Sequence, residues 1–168
     1  MNLEDLNRFL VDYLRRNIYL PDNTQPLNWI FMDYPRFDAT FPRISITQTA
    51  SPTEPIGIGN EGLYFNVSYD IDIWVKKGNF AVGAGAKKYT GSSYRDYLVD
   101  KIVKKLIIQS PPIYGSDGST IQATPRQYFK TMGIYDIKID STMSVPYDDE
   151  FELFRKTIGI TLTISQEL

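Results

Sequence analysis

The chain has 168 residues, of which 42% are hydrophobic, 14% aromatic and 23% charged, with a formal net charge of −2. It is long enough to bury a core as a single domain over residues 1–168, and it has neither the composition of a disordered chain nor the basicity of a typical nucleic-acid binder. It contains no Cys and no His, which excludes disulfides, thiolate nucleophiles, Cys/His zinc sites and every histidine-based general base or catalytic triad.

Leu3, Leu6, Leu10, Tyr13 and Leu14 fall on one stripe with Phe9 beside it, which predicts an amphipathic surface helix. Glu4 and Asp5 at its start and Arg15 and Arg16 at its end suit the helix dipole, and Pro21 closes the run. Acids and bases mixed through this segment do not resemble a signal peptide, and no apolar stretch nears the roughly 20 residues of a membrane span. The expected compartment is therefore a cytoplasm, or a particle assembled there, with no membrane partner. A polar link through Asp22 to Gln25 leads to a short apolar run, Trp29 to Met32, read as a first strand. Pro35 and Pro42 bracket an aromatic stretch with Tyr34, Phe37 and Phe41 that is unsuited to a central strand. Arg43 to Gln48 then alternates at period two and points Ile44 and Ile46 to a core.

Pro52, Pro55, Gly57, Gly59 and Gly62 mark residues 49–62 as a loop. From Tyr64 to Lys76 the alternation is the clearest in the chain, with Phe65, Val67, Tyr69, Ile71, Ile73 and Val75 on one face. At 3.3 Å per residue this strand is about 40 Å long, which predicts that one end projects as a hairpin arm. Lys76 to Ser92 reads as a flexible Gly/Ala/Lys loop. A second helix follows, opened by Ser93 and Asp96 as a capping box, with Tyr94, Leu98, Ile102 and Leu106 on its apolar side and Pro111 and Pro112 as its stop. Residues 113–127 read as a further loop. Ile134 to Ile139 and Lys156 to Ile164 alternate again and form an antiparallel pair around the acidic turn from Val145 to Glu150. The predicted fold is α+β, a mainly antiparallel sheet of four or five strands with two amphipathic helices on one face, a long hairpin arm and flexible loops.

The chemical motifs are weak. Gly57-Ile58-Gly59-Asn60-Glu61-Gly62 matches G-x-G-x-x-G, but a dinucleotide site needs a strand before and a helix after, and here a Pro-rich coil precedes and a strand follows. A hairpin tip or loop is the better reading. Asp148, Asp149, Glu150 and Glu152 lack the glycine and ligand spacing of a calcium loop and read as a solvated turn. Asp70 and Asp72 share a strand face about 7 Å apart, and alternation with Asn66 and Ser68 makes them the polar side of a half-exposed strand rather than a catalytic pair. Asn66-Val67-Ser68 matches a glycosylation sequon that, with no signal peptide, carries no meaning. No catalytic, metal or cofactor-binding residue emerges, and no cofactor is expected.

Charge is distributed unevenly. Residues 76–105 hold eight basic side chains against the two acids Asp96 and Asp100, an excess of +6 in a chain of net −2. Such asymmetry suits a basic loop near phosphates, or subunits that dock an acidic face on a basic one.

The N-terminal helix, the Phe41-Pro42-Arg43-Ile44-Ser45-Ile46 strand, the long strand ending in Asp70-Ile71-Asp72-Ile73-Trp74-Val75, the Tyr94-to-Ile107 helix and the closing Ile134-to-Ile164 hairpin come in a distinctive order. In that order the chain resembles the tail-terminator or tail-completion proteins of tailed bacteriophages, with the related neck and head–tail joining proteins. The resemblance implies a non-enzymatic structural virion protein of the tail and neck, assembled in the host cytoplasm. It implies a ring, usually a hexamer, that ends the tail tube and joins it to the head. The implied partners are further copies of the chain, the tail-tube protein and a neck or head–tail adaptor protein, with DNA only as passing cargo. A basic loop of Lys76, Lys77, Lys87 and Lys88 is the expected lumen-facing or DNA-proximal element. The alternatives are another head–tail adaptor or tail-assembly subunit, or a small binding module.

Overall fold

A computed structural model of the chain describes residues 2–18, 29–33, 41–50, 57–59, 62–82 and 87–166. The expected Asp22-to-Gln25 link, the Pro35 stretch and the glycines at 83 and 85 lie outside them.

The fold is α+β, as the alternation and helical stripes predict. Helix α1 (Leu3–Asn17) is followed by strands β1 (Ile30–Met32), β2 (Arg43–Ala50), β3 (Gly57–Gly59), β4 (Gly62–Lys76), β5 (Asn79–Val82) and β6 (Lys87–Thr90). Helix α2 (Gly91–Ile107), strands β7 (Ile113–Tyr114) and β8 (Thr120–Ile121), helix α3 (Pro125–Thr131), and strands β9 (Ile134–Asp148) and β10 (Leu153–Gln166) complete the chain. The main sheet runs β1-β2-β4-β10-β9, with β3 added to β4 beyond the end of β2. Every pairing in it is antiparallel except β1 with β2.

One face of the sheet is covered by helices. Ile44, Ile46, Val67, Tyr69, Ile71, Ile73, Val75, Ile158, Ile160 and Leu162 are all fully buried there, under Leu6, Leu10 and Leu14 of α1 and Leu98, Ile102 and Leu106 of α2. Two tyrosines bridge helix to sheet and helix to helix: the Tyr69 hydroxyl donates to Asn7 Oδ1 at 2.7 Å, and that of Tyr13 to the Lys105 carbonyl at 2.6 Å. Both satisfy a polar tip inside an otherwise apolar layer, which removes the desolvation cost of burying a phenol. Asn17, 1% exposed, ties α1 to β7 by donating to the Tyr114 carbonyl at 2.6 Å and accepting from the Tyr114 amide at 3.0 Å.

Several sequence expectations need correction. Residues 113–127 are not simply a loop. They form the short β7–β8 hairpin and the start of α3, whose Thr124-Pro125-Arg126-Gln127 opening is a full capping box. That is the S/T-x-x-E/Q signature with Pro at the first helical position. The 76–92 stretch is likewise not all flexible, since β5 and β6 pair from Asn79↔Thr90 to Val82↔Lys87. Helix α2 begins at Gly91 rather than at Ser93, whose hydroxyl donates back to the Thr90 carbonyl at 3.1 Å. Gly91 is required by contact: an added Cβ would lie 2.7 Å from the Lys76 carbonyl oxygen and 2.8 Å from the Phe154 ring. The long strand β4 does not project alone, because β10 pairs with it from Leu63 to Lys76. The edge of the sheet is β9, whose Asp140-to-Ser144 segment is exposed.

Candidate functional site

The sheet face opposite the helices is built from the alternate residues of β2, β4 and β10, and the register fixes its rows. Thr47, Asp70 and Gly159 lie side by side, as do Ser45, Asp72 and Thr157, and then Arg43, Trp74 and Arg155. Gly159 leaves space in the first row: a Cβ there would sit 2.8 Å from Ser141 Oγ and 3.6 Å from Asp70 Oδ1.

The third row is a stack. The Arg155 guanidinium lies 4.5 Å from the Trp74 ring centre and that of Arg43 lies 5.3 Å from it. Arg43 is also 4.4 Å from the Phe41 ring, and Lys76 Nζ is 5.2 Å from that same ring. Cations held over aromatic faces gain electrostatic attraction while their stems cover apolar surface. Burial lowers the Arg43 pKa from its usual value. Arg43 Nε and Trp74 Nε1 are buried with no hydrogen-bond partner among the described residues.

Beneath the stack, Asp72 is only 7% exposed. Its Oδ1 accepts from Arg155 Nε at 3.0 Å, from Arg155 Nη2 at 2.9 Å and from the Thr157 hydroxyl. Asp72 is therefore a paired, buried carboxylate and not the solvated group that simple alternation predicts. Asp70 differs. Burial first, and then the Asp72 charge, raise its pKa above the ordinary carboxylate value, and Arg155 only partly opposes them. With Asp33, Ser45, Thr47, Trp74 and Arg155, these two carboxylates line an open concavity of about 260 Å³. Three carboxylates thus face one guanidinium, and that guanidinium is already paired.

Of the four lysines expected to form a basic loop, Lys76 and Lys77 lie at the end of β4 and just beyond it, and Lys87 and Lys88 lie on β6. Lys76 ends β4 and leans over Phe41, whereas Lys77 pairs with Glu152 across the sheet end at 3.5 Å. In β6, Lys87 and Lys88 are in register with Val82 and Ala81 of β5. Lys88 is exposed. Much of the remaining positive charge of residues 76–105 is matched locally: Lys104 pairs with Asp100 at 2.6 Å, and Arg95 with Asp96 at 2.9 Å. Asp96 also receives Lys156 at 3.1 Å; burial alone would raise its pKa, but the hydrogen bonds from Lys156 and Arg95 outweigh it and hold the carboxyl below its usual value.

The other motifs resolve plainly. Gly57 to Gly59 pair with Gly62 to Tyr64 as a hairpin, so a strand and no helix follows the glycines. The acidic turn caps itself, with Asp148 Oδ1 accepting from the Phe151 amide at 3.1 Å. Among the described residues no cluster of three or more acidic side chains is arranged to hold a metal ion, and no helix is long and apolar enough to cross a membrane. Sequence reasoning missed Arg43, Ser45, Trp74 and Arg155 as site residues. The available signal was Asp-x-Asp-x-Trp in β4 set against Arg-x-Thr in β10, which only the strand register brings together.

No family model matches the chain, and no curated protein is significantly similar to it in sequence.

Proposed function

We propose that the chain is a structural, non-enzymatic subunit of a tailed-phage virion, a tail-terminator or tail-completion protein that forms a ring, usually of six copies, at the head-proximal end of the tail tube. Its partners in this reading are its own copies, the tail-tube protein and a neck or head–tail adaptor protein, with DNA passing through the ring. The observation that carries the reading is the β9–β10 hairpin. It closes the sheet with an edge strand whose Ser141-Thr142-Met143-Ser144 run is exposed and uncharged, and Met143 and Phe151 are 61% and 60% exposed. Soluble proteins ordinarily guard such an edge with charge, Pro or a bulge, and an unguarded stretch invites a strand from another chain. The neighbouring Asp140, Pro146 and Asp148 limit the open stretch to this segment.

Light scattering over a concentration series, followed by negative-stain imaging with and without purified tail tubes, tests the reading. Closed rings near six copies, or rings formed only on tail tubes, are the expected result. A monomer that ignores tail tubes overturns it, and binding to a portal or adaptor in place of the tube moves the chain to another neck position.

A further inference from the structure

We infer that the concavity on the open sheet face is a binding site for a guanidinium group. The inference does not depend on the ring reading. Its first support is the donor and acceptor inventory of the lining. Asp33, Asp70, Asp72, Ser45 and Thr47 offer oxygens, and the one cation, Arg155, is already committed to Asp72 Oδ1. Among the described residues all three hydrogen bonds to Asp72 fall on Oδ1, which leaves its second oxygen to accept. Arg43 Nε and Trp74 Nε1 are closed off from solvent and offer no donor to an arriving group.

The second support is Ser45. It is 2% exposed, lines the concavity, and its hydroxyl has no hydrogen-bond partner among the described residues. The hydroxyl is not sealed in the core but opens into the concavity beside Asp70 and Asp72, where an arriving donor can reach it.

Shape and spacing select the ligand. The volume of about 260 Å³ is several times the roughly 30 Å³ of one water. The acceptors lie on two rows, Thr47 with Asp70 and Ser45 with Asp72, about 7 Å apart along the strands. An ammonium is a compact point charge with three donors, whereas a guanidinium is planar, weakly hydrated and spreads five donors in a fixed fork. The fork reaches both rows.

The experiment follows the indole N–H resonance of Trp74 by NMR, with the buried Trp29 as internal reference, during titration with methylguanidinium chloride and with the peptide acetyl-Gly-Arg-Gly-amide. Sodium acetate and n-butylammonium chloride are the controls. A saturable shift with both guanidinium probes is expected, weakened roughly ten-fold or more in Asp70→Asn, since charged hydrogen bonds dominate the contact. Tighter binding of the peptide identifies an arginine of a partner chain as the natural occupant, and equal binding identifies a free small molecule. Should Asp70→Asn fail to fold, Asp33→Asn carries the test: Asp33 is exposed with φ 62°, a conformation that Asn adopts readily. No saturable shift, butylammonium or acetate binding as well as methylguanidinium, or unchanged affinity in the folded Asn variants would each overturn the inference.

Discussion

The two faces of β4 are made by the same fifteen residues and obey opposite rules. On the helix side Val67, Tyr69, Ile71, Ile73 and Val75 are all fully buried by apolar packing. On the other side exposure falls from Asn66, which is exposed, through half-buried Ser68 and Asp70 to Asp72 at 7%. Among the described residues no helix covers that second face. Asp72 is buried instead by the Arg155 and Thr157 side chains of β10 that converge on it, beside the Trp74 stack. Burial on one face comes from secondary structure docking, and on the other from long polar side chains folding over a charge. The first mechanism is generic and stabilising. The second holds a specific arrangement of charge in place.

Substitutions on each face separate the two mechanisms. Ile71→Ala removes a fully buried side chain from the helix-covered face and should cost about 2–5 kcal/mol, read as a lower urea midpoint with an unchanged slope. Asp72→Ala, on the same strand and one residue away, acts differently. It leaves the Thr157 hydroxyl and the Arg155 guanidinium without their acceptor, but Arg155 is 34% exposed and water takes over part of its hydration. The expected loss is about 1–3 kcal/mol, smaller than for Ile71→Ala. Added salt should narrow the gap between Asp72→Ala and the parent, and leave that of Ile71→Ala unchanged. An Asp72 effect equal to that of Ile71 and insensitive to salt would mean that the open face is held by packing after all.

This contrast also explains what was legible in the sequence. The helix-covered face was readable because apolar burial leaves period-two and period-3.6 stripes: β2, β4, β10, α1 and α2 all follow from such patterns. The pairing of β9 with β10 was readable for the same reason, but the strand ends were not. β9 continues through Ser141, Thr142 and Ser144, where exposure leaves no hydrophobic alternation to read. The missed α3 is seven residues long, too short for a stripe, and only its Thr124–Gln127 capping box announced it. The open-face site was the least legible. Asp70 and Asp72 were visible as a pair, but their different environments depend on Arg155, 83 residues beyond Asp72 and placed by register alone.

The open face extends to the sheet edge, and Met143→Lys sharpens the comparison there. Met143 lies opposite Thr157 on β10 and is 61% exposed. Because nothing is packed against most of its surface, the substitution should alter the stability of the isolated chain by no more than about 0.5 kcal/mol. A lysine in an edge strand opposes pairing with another strand. On the proposed ring reading the variant should therefore dissociate at concentrations where the parent remains assembled, as read by sedimentation velocity. Unaltered assembly would remove β9 from the subunit contact while leaving the monomer fold as described.

The smallest expected effect has an unusual sign. Burial and the Asp72 charge raise the folded-state pKa of Asp70 above its usual 3.8, so the folded protein binds a proton there more readily than the unfolded chain. Stability then falls as pH rises through that window, and the full penalty of the ionised carboxylate is present at pH 7. Asp70→Asn should accordingly raise the melting temperature at pH 7. The advantage should shrink on acidification and vanish below the usual carboxylate value, where both chains are neutral at this position. Thermal unfolding of parent and variant across that range measures it directly. A helix-face residue has no such behaviour, because nothing is gained by weakening a packed apolar contact. A stabilising Asp70→Asn that also loses guanidinium binding would show that the carboxylate is held at a cost to the fold because it is kept for a ligand. A destabilising Asp70→Asn would mean that the carboxylate has a counter-charge within the folded chain, and that this part of the open face is as internally satisfied as the helix side.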